Sequence, residues 1–198
     1  MVRFAKLFIC ACAIAALATS AAMAHQTSVP RRNAETIRVP AILAVSMQLG
    51  APPAGVVDLK FQDLFKLPVG PKGLETTDKL RNLDGKRVRI VGYMVRQEAP
   101  SAGSFMLSPL PVSAGDEDES LADDIPASAV FVSLPNGKDV IVPALPGLVR
   151  IVGTLHLGAI EVPGIDRLAA VRIALDAAPE RALLRVARAA ARQPTGAR

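Results

Sequence analysis

The chain has 198 residues, 51% of them hydrophobic and 4% aromatic, with a formal charge of +5 at pH 7. Its two cysteines, Cys10 and Cys12, lie near the N-terminus, which excludes disulfides, thiolate metal sites and cysteine nucleophiles from everything that follows. The charge is unevenly placed: without Arg3 and Lys6 it is +3, and five arginines beyond Pro179 against Glu180 leave residues 25–178 at −1, so the basic character belongs to the C-terminal stretch.

The first residues have the parts of a secretion signal: a basic start at Arg3 and Lys6, an apolar run over 7–17, and the small-residue end Ala22-Met23-Ala24. The run is short of the about 20 residues that span a bilayer. We therefore expect cleavage after Ala24, no transmembrane helix in the mature chain, and a periplasmic or secreted location. Residues 25–55 are rich in Ala and Pro without a sustained period and are expected to be a flexible leader, with a strand at 42–45. Short amphipathic stretches follow at 61–67 and 76–83, the second stopped by the turn Asp84-Gly85.

Beyond that turn the pattern is that of strands, expected over 86–96, 104–107, 129–134, 138–142, 148–157 and 167–175. Asn136-Gly137 between two of them predicts a hairpin. The pentapeptide VRIVG occurs twice, at 88–92 and 149–153. A glycine inside a strand is tolerated where the strand bends, and two bent strands, first and fourth in order, fit a small closed barrel. The expected fold is mainly β: an OB-like barrel of five to six strands over 56–178, short flanking helices, and a basic amphipathic helix or tail over 179–198.

The stretch from Val57 through Leu83, Gly85, Lys86, Val88, Ile90, Gly92, Tyr93 and Val95 resembles exported bacterial proteins of the DUF3299 type, in which an Asp-Leu element precedes L-x-G-K-x-V-x-I-x-G-[FY]-x-V. The resemblance implies an exported OB-like domain associated with transport or metal-homeostasis machinery, and implies no reaction. The family's Cys-His-Pro segment is replaced here by an acidic stretch over 116–124, so chemistry resting on that segment is not carried over.

Three groups of residues are candidates for function. Cleavage after Ala24 would make His25 the N-terminus, where an α-amine and an imidazole chelate Cu(II) or Zn(II), with His156, the other histidine, as a second ligand. The alternative is a chance first residue and a surface histidine. The acidic stretch carries Asp116, Asp118, Asp123 and Asp124 with Glu117 and Glu119. It supplies oxygens for a hard cation without the spacing of a calcium loop, so a solvated loop is the alternative. Arg181, Arg185, Arg188 and Arg192 recur at helical spacing, a stripe suited to an anionic surface or to solvent.

Nucleic acid is not an expected partner, because the body is neutral, has no tryptophan, and carries only Tyr93, Phe105 and Phe131 as aromatics in the strand region. No motif for a nucleophile, a metalloprotease or a phosphate loop is present. The expectation is a non-enzymatic binding or accessory module that contacts a protein or a cell-envelope component, without a cofactor. The alternative is a protein handling copper or zinc.

Overall fold

Valine, isoleucine and leucine in alternation shape the second half of the chain into strands. The structure, a computed structural model, describes residues 37–71, 73–114, 125–161 and 168–192. In order they form β1 (Val57–Asp58), a 3-10 turn (Phe61–Asp63), α1 (Asp78–Asn82), β2 (Arg87–Met94), β3 (Arg96–Gln97), β4 (Ser104–Ser108) and β5 (Ser113–Ala114). Then come β6 (Val130–Ser133), β7 (Leu148–Glu161), β8 (Leu168–Leu175) and α2 (Ala177–Ala191).

The main sheet runs β1-β2-β4-β6-β8-β7, and β7 returns to pair with β2. Five strands thus close a barrel, with β1 added in parallel outside β2. Within the ring β6 and β8 are parallel and the other pairs antiparallel, the Greek-key connectivity of an OB-like barrel. β3 and β5 form a separate parallel pair.

The ladder that closes the barrel is the repeated pentapeptide paired with itself. Val88 faces Gly153, Ile90 faces Ile151, and Gly92 faces Val149. Alternation sends Val88, Ile90, Val149 and Ile151 into the core, each at most 1% exposed, and leaves Arg89 and Arg150 on the outer surface. Each copy ends on a glycine at a bend. β2 leaves β7 for β4 at Tyr93, which pairs with both Leu148 and Ser108. A Cβ on neighbouring Gly92 would lie 2.7 Å from the Ser108 carbonyl oxygen.

The core also takes Leu64, Leu80 and Leu183. α1 starts where the Thr77 hydroxyl accepts the Leu80 amide at 3.0 Å, an N-cap in the usual sense. Pro179 lies in the first turn of α2, where a missing N–H costs nothing. That helix buries Pro179, Ala182, Leu183 and Ala187. Because Leu183 is 0% exposed, Leu183→Ala is expected to cost about 3 kcal/mol. It should appear as a lower urea midpoint with an unchanged slope.

The outer surface of β4 and β6 is covered. Met106 and Phe131 pack with Ile125 and Ala129 in a second apolar cluster. The outer surface of β2 and β7 instead borders an open groove.

Residues 138–142 are not a strand, and the expected hairpin is corrected. β6 already has β4 on one edge and β8 on the other, so no edge remains for a further strand. The chain turns back instead, with the Val140 amide donating to Gly137 O and the Gly103 amide to Val140 O. The buried Glu180 carboxylate of α2 holds this turn, accepting from the Asn136 amide at 2.6 Å and from its side chain at 2.7 Å.

The two amphipathic stretches shorten to the 3-10 turn and α1. The strand expected at 42–45 reduces to one bridge, Ala44 to Val149, because the chain turns at Pro40, whose carbonyl accepts from the amides of Leu43 and Ala44. Within the segment expected to be a flexible leader, Leu43 is fully buried in the barrel core, and Ile37 and Val39 pack against that core.

Candidate functional site

Three arginines converge outside the barrel-closing ladder. Arg87 and Arg89 come from β2 and Arg150 from β7, lining a groove of about 310 Å³. Val152, paired with Arg89, lies between them, while Ile42 and Pro53 contribute from one flank and Ala178 from the start of α2.

The arginines differ in their partners. Arg89 is 3% exposed and its fork is saturated. Its Nε donates to Asp58 Oδ1 at 2.6 Å and its Nη2 to Asp58 Oδ2 and Gly50 O, each at 2.8 Å. Asp58 is in place because β1 runs parallel to β2 in a register that sets it beside Arg89. This bidentate contact holds the Asp58 carboxyl below its ordinary range against the opposing push of burial, and raises the guanidinium correspondingly. Arg87 pairs with Asp176, the N-cap residue of α2, and that hydrogen bond raises its pKa. Arg150 is half-buried. Its Nη2 donates to Ile42 O at 3.2 Å, and among the described residues it has no carboxylate partner.

Of the residues singled out from sequence, the structure brings together the four arginines of the C-terminal stretch. Arg181, Arg185 and Arg188 on α2 and Arg192 at its C-cap are all exposed, opposite the buried face of the helix. His156 is half-buried on β7 and pairs in register with Arg172 of β8. Arg172 Nε is itself buried without a hydrogen-bond partner among the described residues. A guanidinium beside an imidazole disfavours a bound cation. His25, Asp116, Asp118, Asp123 and Asp124 lie outside the described residues. Within those residues no three His, Asp or Glu side chains cluster at metal-binding distances, and no helix is long and apolar enough to cross a membrane.

The groove arginines were not among the sequence candidates. For two of them, Arg89 and Arg150, the signal was the second place of each VRIVG: on a strand whose odd positions are core, that residue faces outward, and two such strands paired together set their arginines on one surface.

No protein-family model matches the chain, and no curated protein matches it. A crystal structure of a DUF3299 family protein from Pseudomonas aeruginosa PAO1 is similar, at 15% identity and a TM-score of 0.39, over 64% of this chain and 94% of that one. It belongs to the family that residues 57–95 resemble.

Proposed function

We propose that the chain is an exported, non-catalytic binding module that settles on an anionic surface of the cell envelope through the outer face of α2. The observation that supports this is the arginine stripe of Arg181, Arg185, Arg188 and Arg192. The opposite face of that helix is committed to the barrel through Leu183 and Ala187, so no apolar face is left to insert among acyl chains. The contact is superficial and electrostatic. At about 1 kcal/mol for each basic residue near an anionic leaflet, four arginines supply about 4 kcal/mol. That is roughly a thousandfold partition, weak enough to be reversible and to suit a module that acts beside other components.

The test is co-sedimentation of the chain beginning at His25 with vesicles of phosphatidylglycerol and phosphatidylcholine. Binding is expected at low salt and is expected to vanish near 1 M salt, where the screening length falls to about 3 Å. Each Arg→Gln change on the stripe should weaken binding about fivefold. Because these side chains are exposed, the variants should unfold as the parent does. Equal binding to pure phosphatidylcholine vesicles, or undiminished binding by the fourfold Gln variant, would sink the proposal.

A further inference from the structure

We infer that the groove outside β2 and β7 is a binding site for a small organic carboxylate bearing an apolar group, with Arg150 as its anchor. Arg89 and Arg150 hold the same place in the two copies of VRIVG, and those copies are paired with each other. The ladder therefore presents two equivalent arginines on one surface. Among the described residues only one of them, Arg89, meets a carboxylate.

Arg89 receives both oxygens of Asp58 because a strand carrying that carboxylate runs along the outer edge of β2. The element alongside β7 is the segment around Ala44, which bridges to Val149 and offers Arg150 carbonyls instead. The Arg150 amide donates to Leu43 O at 2.8 Å, and its Nη2 to Ile42 O at 3.2 Å. A planar fork of five donors matches a carboxylate with two parallel hydrogen bonds, as Arg89 already demonstrates with Asp58. Arg150 is the same fork with that partner missing among the described residues.

Charge and size select the ligand class. Arg89 is neutralised by Asp58 and Arg87 by Asp176, which leaves one cation and matches a monoanion. The remaining lining near Arg150 is apolar, with Ile42, Pro53, Val152 and Ala178. A volume of about 310 Å³ lies at the lower end of the range for small-molecule pockets. An inorganic anion would leave the apolar walls wet, whereas a medium-chain carboxylate places its hydrocarbon against them.

The experiment is calorimetric titration of octanoate into the full chain, with octanol and inorganic phosphate as comparison probes. Octanoate should bind saturably at one site. Octanol and phosphate should each bind at least about tenfold more weakly, since each lacks one half of the match. Arg150→Gln should lower octanoate affinity about tenfold or more, and Arg150→Lys, which keeps the charge but loses the fork, by less. Ala178→Phe, at an exposed position in the first turn of α2, should block the groove while leaving every arginine in place. It carries the test if Arg150→Gln fails to fold. An absence of saturable octanoate binding, or unchanged affinity in both Arg150→Gln and Ala178→Phe, overturns the inference. Phosphate binding as tightly as octanoate overturns the assignment to an organic carboxylate. None of these readouts depends on the outer arginines of α2, so failure here and failure at the vesicle surface are separate results.

Discussion

Gly153→Val is expected to remove about 3 kcal/mol or more of the chain's stability. A Cβ at that position would stand 2.3 Å from the Ala174 carbonyl oxygen and 2.7 Å from Ile173 Cγ2. The nearer atom is backbone in β8 and cannot turn aside as a side-chain end would. Gly153 is also a corner of the barrel: it pairs with Val88 on one side and Leu175 on the other, so relief of the clash must open one of two ladders. Overpacking in yielding surroundings costs about 1–3 kcal/mol. Against a fixed carbonyl, with two further methyl groups to place, about 3 kcal/mol or more is expected, out of a total of about 5–15 kcal/mol for a typical domain.

Gly147 separates this clash from mere backbone preference. It has φ +72° and nothing within 4 Å of where a Cβ would stand, so Gly147→Ala should cost only the about 1 kcal/mol of forcing an L-residue into the left-handed region. Urea unfolding followed by circular dichroism compares the two at equal chemistry. If Gly153→Ala is no more destabilising than Gly147→Ala, the close approach at the barrel corner does not govern stability.

The barrel was legible because its information is local. Val88 and Ile90 flank Arg89, Val149 and Ile151 flank Arg150, and the glycine closing each VRIVG marks its bend. The arginine stripe of α2 was legible for the same reason, since a helix brings neighbours in sequence together on one face. Residues 138–142 misled because a strand needs a vacant edge as well as a suitable composition. That β6 has both edges filled is a property of the closed ring, not of the pentapeptide. The groove stayed hidden because its ion pairs join distant positions. Asp58 meets Arg89 across 31 residues and Asp176 meets Arg87 across 89. Neither carboxylate has a local pattern that names its partner.

Asp58→Ala is expected to cost about 2 kcal/mol at neutral pH. Arg89 is buried on a strand at the closure of the barrel, and removing its carboxylate leaves a charged guanidinium with the carbonyls of Gly50 and Ala51 alone. Breaking a fully buried pair in this way costs about 3–5 kcal/mol. The Asp58 side chain is 42% exposed, so water reaches the vacated place and brings the cost below that range, to about 2 kcal/mol.

Acid should act on the same contact. Because the folded carboxyl titrates below its ordinary value, the stabilisation is fully present above the unfolded value of about 3.9. It is lost as pH falls through the lower, folded value. Asp63, whose carboxyl is also lowered, chiefly by the Lys79 ammonium at 2.6 Å, adds a parallel loss, so acid sensitivity alone would not identify Asp58. The difference between parent and Asp58→Asn does, since Asp63 titrates in both proteins and cancels. Urea midpoints should stand well apart at pH 7 and converge toward pH 3. A gap that is the same at both pH values would mean that the ionised carboxylate of Asp58 is not what stabilises Arg89.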